Sequence, residues 1–245
     1  MLAANVDVVL LVAGLDGDFN LRRLERYLAT AWESGAQPAI VLSKADLSED
    51  VEAAVAEAES VAVGVPVHPV SCVTGEGVEE LRAYLTDNRT VALLGSSGVG
   101  KSTLVNRLLG EELQVTKEIA EDGRGRHTTT SRQLIRLPGG ALLVDTPGLR
   151  EIQLWDADEG IQEAFADVDE LAADCRFNDC AHMREPGCAV QEAIHAGRLP
   201  RERLQSYRAL QRELRRLALK QDARLRSEER KKRVAVARSR RKVSW

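Results

Sequence analysis

Gly95-Ser96-Ser97-Gly98-Val99-Gly100-Lys101-Ser102 fills the pattern G-x-x-x-x-G-K-[S/T] at every fixed position. The apolar run Thr90–Leu94 precedes it and the amphipathic run Lys101–Leu109 follows it. The stretch is therefore predicted to turn a buried strand into a helix. Glycines let the backbone wrap a phosphate with its N–H groups pointing inward. The N-terminus of the following helix adds the positive end of its dipole. Lys101 is expected to reach the β- and γ-phosphates of a nucleotide, and the Ser102 hydroxyl to ligate Mg2+.

Upstream, short apolar runs alternate with amphipathic ones. Val6–Ala13, Pro38–Leu42 and Val65–Val70 read as strands, and Asn20–Ser34, Val51–Val61 and Val78–Leu85 as helices. Downstream, Glu111–Thr130 is polar and without periodicity, a loop of a length that is usually functional or disordered. Ser131–Leu137 and Ala141–Val144 follow as strands joined through Pro138-Gly139-Gly140, a hairpin signal. This rhythm predicts an α/β domain with a mainly parallel sheet covered on both faces. After Glu151 no further strand is predicted. Ala173–Cys188 is cysteine-rich and irregular, and Pro200–Leu219 is a helix with Leu204, Tyr207, Leu210, Leu214 and Leu217 on one face. Two domains are expected, 1–155 and 156–245, with the first leading directly into the second.

Four further elements point to a nucleotide. Asp145-Thr146-Pro147-Gly148 fits D-x-x-G, in which Asp145 serves the Mg2+ shell and the Gly148 N–H meets the γ-phosphate. Between it and the phosphate loop lies Arg126-His127-Thr128-Thr129-Thr130, and one of these threonines, preferably Thr128, is expected to complete that shell. Ser43-Lys44-Ala45-Asp46 resembles the guanine motif [N/T]-K-x-D, with Ser43 where Asn is usual. The Asp46 carboxylate would accept from guanine N1–H and the 2-amino group, which adenine cannot offer. Lys44 would lay its aliphatic stem along the base. Ser43 is shorter than Asn, so weaker binding with retained selectivity is expected. Ser71-Cys72-Val73-Thr74-Gly75 resembles the loop whose backbone N–H, here that of Cys72, meets guanine O6. Cys72 is then a small buried residue, not a metal ligand.

Composition narrows the class. The apolar fraction of 44% is ordinary for a globular chain. The longest apolar stretch, Val8–Leu15, is too short to span a bilayer and lacks a basic flank, so a cytoplasmic protein with no membrane partner is expected. From Lys220 onward eleven Lys/Arg stand against three Asp/Glu, a local +8; with a net charge of −4, the other 219 residues carry −12. A polyanion reached through the tail and a solvated tail without a partner both fit that split. Cys175, Cys180, His182 and Cys188 lie within fourteen residues, a Cys3His set suited to one closed, tetrahedral zinc site. His68 and His195 read as ordinary residues.

The order of motifs is unusual: the guanine elements come first, then the phosphate loop, then the Mg2+ loops. Together with Gly125–Thr130 and the string Cys175-Arg176-Phe177-Asn178-Asp179-Cys180-Ala181-His182 through Cys188, it resembles the RsgA (YjeQ) family of small-subunit-dependent GTPases over nearly the whole chain. The resemblance implies a circularly permuted P-loop GTPase domain followed by a small zinc-binding α-helical domain. It implies a monomer that binds GTP and GDP and hydrolyses GTP. It also implies action late in maturation of the 30S ribosomal subunit, with 16S rRNA as a contact. It places Leu149 where Ras-like enzymes carry a water-positioning Gln, so another group must orient the water, and His127 is the candidate. Family members carry an OB-fold ahead of the GTPase core. Met1 stands a few residues before the first strand, so no OB-fold is expected in this chain. Two other readings compete: a slow or truncated GTP-binding module that recognises RNA or protein, and a P-loop ATPase, which fails if Asp46 works as argued.

Overall fold

The computed structural model describes residues 5–86, 88–110, 133–137, 140–145 and 158–221. Its strands are β1 (Val8–Gly14), β2 (Gln37–Ser43), β3 (Val67–Val70), β4 (Thr90–Leu94), β5 (Gln133–Arg136) and β6 (Leu142–Asp145). They form one sheet in the order β3-β2-β1-β4-β6-β5. All neighbours are parallel except β5 and β6, which pair antiparallel as the expected hairpin.

The parallel strands are apolar at consecutive positions because both sheet faces are covered. Val8, Leu10 and Val12 of β1 share a core with Val91 and Leu93 of β4 and with Val78, Leu81, Leu104 and Leu108. The last four residues belong to α3 (Val78–Leu81) and α4 (Lys101–Leu109). Alternate residues Val9, Leu11, Ile40 and Leu42 are buried too. Successive side chains of a strand point to opposite faces, and α1 (Leu21–Glu33) packs against β1, β2 and α2 (Val51–Val61). Helix starts follow local chemistry. The Asn20 side chain accepts from the Arg23 N–H at 3.1 Å and Asp50 from the Ala53 N–H at 2.9 Å, each such cap contributing about 1 kcal/mol.

The sequence order places β2 and β3 on one side of β1, and β4 and β6 on the other. The chain thus reverses its direction of travel across the sheet between β1 and β4. In open α/β sheets ligands bind at such a point, beyond the carboxyl ends of the strands.

The described residues divide into two compact units. One holds the sheet together with Glu159–Asp169; the other takes Asp158 and the residues from Glu170 onward. The first therefore includes α5 (Asp158–Ala164) from Glu159 on and the start of α6 (Ala166–Ala173), two helices that the sequence reading lacks. Ile161, Ala164, Phe165 and Val168 are buried, and the Gly160 N–H donates to the Glu33 carboxylate of α1 at 2.9 Å. After β6 the described chain is helical and adds no further strand to the sheet before the second unit. The second unit contains α7 (Ala189–His195) and α8 (Arg201–Gln221). On α8, Leu204, Tyr207, Leu210 and Leu214 are buried and Leu217 is half-buried. Among the described residues no helix is long and apolar enough to cross a membrane.

Candidate functional site

The phosphate loop, Gly95 to Gly100, leaves the carboxyl end of β4 and enters α4. Gly95 passes so close to β1 that a Cβ there would collide with the Val12 carbonyl. The Lys101 side chain is buried, and its ammonium donates to the carbonyls of Gly95 at 2.8 Å and Ser96 at 2.6 Å. Ser102, one residue into α4, is exposed. Asp145 ends β6, the parallel neighbour of β4. A serine hydroxyl and a strand-end carboxylate are oxygen donors of the kind Mg2+ takes.

The base motifs end the two strands on the other side. Lys44 adopts a left-handed backbone, φ 58°, which turns the chain sharply off β2. Its ammonium donates to the Gly98 carbonyl of the phosphate loop at 2.7 Å and to the Asp16 carboxylate. Ser43 is buried, and its hydroxyl reaches the Val99 carbonyl at 2.6 Å and the Ala13 carbonyl at 3.2 Å. At the end of β3, the Ser71 hydroxyl donates to Asp46 at 2.5 Å and accepts from the Val73 and Thr74 N–H groups. One short side chain thus shapes the Cys72 loop and fixes the Asp46 carboxylate. Cys72 is half-buried, where full burial was expected; burial raises its thiol pKa.

Four side chains absent from the sequence reading complete the arrangement. Asp16 and Asp18 lie in the loop after β1. The Lys44 hydrogen bond holds Asp16 below its ordinary value, against the opposing effect of burial. Asp18 accepts from the Ser96 hydroxyl at 2.7 Å and from Arg23 of α1 at 2.9 Å, and Arg23 also donates to Ser96 at 2.8 Å. On α4, Arg107 donates to the carbonyls of Cys72 at 2.8 Å and Val73 at 3.2 Å. The available signal was topological: a polar loop after β1 must face the phosphate loop once β1 and β4 are neighbours. His68 makes an ordinary contact, 2.9 Å from the Tyr84 hydroxyl.

In the second unit Cys175, Cys180, His182 and Cys188 bring their ligand atoms within 4.8 Å of one another. The Sγ atoms of Cys175 and Cys188 are 3.8 Å apart, and each is 3.5 Å from His182 Nδ1. Sulfurs at about 2.3 Å from a tetrahedral zinc ion are separated by roughly 3.8 Å, so the set fits that ion. Burial pushes the Cys188 thiol up to about 11, with Cys180 and Cys175 adding to the rise. Clustered sulfurs of this kind ionise when a cation supplies the compensating charge. Cys188 is the N-terminal capping residue of α7. Arg208 of α8 and Gln191 of α7 donate to the His182 carbonyl, and the Glu185 carboxylate accepts from Met183 at 2.7 Å and Arg184 at 3.0 Å. The loop is shaped by groups other than the four ligands.

His127, Thr128, Gly148, Leu149, the side chain of Asp145 and the basic tail from residue 222 lie outside the described residues. The structure brings Ser43, Lys44, Asp46, Ser71 and Cys72 to the same sheet end as residues 95–102, and keeps the four metal-ligand candidates together in the other unit.

The family model for RsgA GTPase matches residues 1–155. The small ribosomal subunit biogenesis GTPase RsgA 2 of Lactiplantibacillus plantarum is 53% identical over 215 residues, covering 87% of this chain and 60% of its own length. The corresponding RsgA of Streptomyces avermitilis is 53% identical over 234 residues, 93% of this chain and 62% of its own. The chain spans about three fifths of the length of these curated relatives. The crystal structure of YjeQ from Thermotoga maritima aligns with a TM-score of 0.63 and 31% identity, covering 86% of this chain and 72% of that one. YloQ, described as a circularly permuted GTPase, aligns with a TM-score of 0.62 and 28% identity, covering 86% and 68%. A family match over more than half of its residues, joined to half-identity with these relatives, means that the chain belongs to the RsgA GTPase family.

Proposed function

We propose that this chain binds GTP and GDP, hydrolyses GTP to GDP and phosphate, and acts in late maturation of the 30S ribosomal subunit as a cytoplasmic monomer that contacts 16S rRNA. The observation that carries the nucleotide reading is the bond from Lys44 to Gly98, which ties the base motif to the phosphate loop across the sheet end. The printed names of the relatives carry the ribosomal part.

In this reading the loop N–H groups of residues 95–100 and the Lys101 ammonium hold the phosphates and offset the charge that develops during transfer. Asp46 selects guanine, Lys44 flanks the base, and the Cys72 N–H meets its O6. Ser102 and Thr128 would hold Mg2+, with Asp145 in its shell; bound there, the ion would supply positive charge that offsets the negative charge of the phosphates. Gly148 senses the γ-phosphate. His127 orients the attacking water, the role that Leu149 lacks the polar atoms to fill. Cys175, Cys180, His182 and Cys188 hold one structural zinc ion, and the basic tail adds phosphate contacts to RNA.

The test is GTP turnover by the purified chain, alone and with purified 30S subunits. Slow intrinsic hydrolysis that rises severalfold or more with subunits is expected. Guanine-nucleotide binding with no stimulation would favour the second reading, a recognition module without ribosome-stimulated turnover. Equal binding of ATP and GTP would remove the base-site assignment.

A further inference from the structure

The loop between β1 and α1 contains no recognisable nucleotide motif, yet it touches both halves of the site. Asp16 accepts from Lys44, and Asp18 accepts from Ser96. The Asp16 contact is the more consequential because of what lysine is. Its ammonium is a point charge on a four-carbon stem with many rotamers, so a lysine meant to flank a flat base must first be straightened. Two acceptors on different loops hold this one: the Gly98 carbonyl at 2.7 Å and the Asp16 carboxylate. Stretched between β2 and those acceptors, the stem has little freedom left to lose when a base arrives. The carboxylate is itself held in place. It folds back over the end of β1, where its Oδ1 lies 2.6 Å from the position a Cβ on Gly14 would take. Glycine at the strand end leaves that space open.

We propose that Asp16 is a positioning residue for guanine-nucleotide binding: through the Lys44 ammonium it holds the lysine stem in the geometry that receives the base. This rests on the assignment of Lys44 to the guanine site made above. The proposal has a sharp sign. A carboxylate close to a bound nucleotide repels its phosphates, so Coulomb's law alone predicts tighter binding on its removal. Positioning predicts the opposite. The pair is about one third exposed on both sides, so solvent weakens it, and the net loss expected is roughly two- to fivefold in affinity.

The experiment is a double-mutant cycle on the full chain. Dissociation constants for fluorescent GDP and for a non-hydrolysable GTP analogue are measured in wild type, Asp16→Ala, Lys44→Ala and the double variant, together with kcat at saturating GTP. Asp16→Ala should weaken both nucleotides by the same roughly two- to fivefold factor and leave kcat unchanged. In the Lys44→Ala background it should have no effect or tighten binding slightly. Asp16→Asn, which keeps an acceptor without the charge, should lie between. Unchanged circular-dichroism spectra and thermal midpoints show that the variants are folded. Tighter or unchanged binding in Asp16→Ala, or an equal loss in both backgrounds, overturns the proposal while leaving the nucleotide reading in place. Failure of the wild-type chain to bind GDP overturns both.

Discussion

The Ser43 hydroxyl donates to the Val99 carbonyl at 2.6 Å, so the first residue of the base motif is bonded to the fifth residue of the phosphate loop. From sequence, the serine was expected to weaken guanine contact because it is shorter than Asn. In the fold it points inward, is 3% exposed, and braces one loop against the other.

Ser43→Ala should therefore loosen the site as a whole. The Val99 carbonyl loses this donor in a buried position, a cost of about 1–3 kcal/mol. Affinity for GDP and GTP should fall together by roughly tenfold or more, while preference over ATP survives. Stopped-flow release of fluorescent GDP measures the first and competition with ATP the second. A changed base preference at constant affinity would contradict the bracing role.

Arg107 carries the other link, from α4 to the carbonyls of Cys72 and Val73. Arg107→Ala should speed GDP release by roughly three- to tenfold, as expected for partly exposed hydrogen bonds to a cation. Arg107→Lys should recover little, because an ammonium lacks the planar fork that spans two carbonyls. Equal release rates in all three proteins would show that the Cys72 loop holds its shape unaided.

Asp46→Asn should turn the chain from guanine toward xanthine nucleotides, since xanthine presents an oxygen where guanine carries its 2-amino group. The Ser71 hydroxyl can still donate to the amide oxygen at this position, so the loop should keep its form. Competition between GDP and xanthosine diphosphate reads the outcome; a variant that still prefers GDP would displace Asp46 from its assigned role.

Asp16 also sets a pH expectation. Its pKa is lowered chiefly by the Lys44 hydrogen bond. A depressed carboxylate contributes fully above its unfolded value, about 3.9, and the contribution is lost as pH falls through the folded value. The affinity ratio of wild type to Asp16→Ala should thus be constant from pH 5.5 to 8. A ratio that collapses within that range would mean that a different group controls Lys44.

Metal removal should act on the second unit. One zinc ion per chain is expected by elemental analysis. Chelation or Cys180→Ser should open the segment from Cys175 to α7 to proteolysis while the sheet-bearing unit keeps its GDP affinity. Full protection of that segment in metal-free protein would refute a structural ion there.

The sequence was most legible where a residue's role is set by its immediate neighbours. The limits of α2, β4 and α4 agree with those read from periodicity, because an Asp50 cap, apolar strand positions and Gly110 are all local signals. The Cys3His set was readable for the same reason. Less was visible where a contact joins distant segments. Asp16 meets Lys44 twenty-eight positions on, and Ser96 meets Asp18 seventy-eight positions back; neither residue carries a motif that announces the partner. The inward turn of Ser43 was hidden likewise, since nothing in Ser-Lys-Ala-Asp says which way a short hydroxyl faces. Helices α5 and α6 were missed because Asp158–Ala173 is short and acidic, and the seating of Gly160 on α1 joins segments far apart in sequence.

That last contact has a consequence for how load passes along the chain. A Cβ on Gly160 would collide with the Ala29 carbonyl and the backbone of Glu33, so α5 is seated on α1 at a distance only glycine permits. Phe165, a few residues on, is fully buried. A pull on the polypeptide from Glu170 onward would therefore first meet this seat, like a rope belayed before it reaches the climber. A piece that keeps the sheet-bearing unit whole therefore runs on through Asp169, because a cut at 155 would take away what sits in the seat.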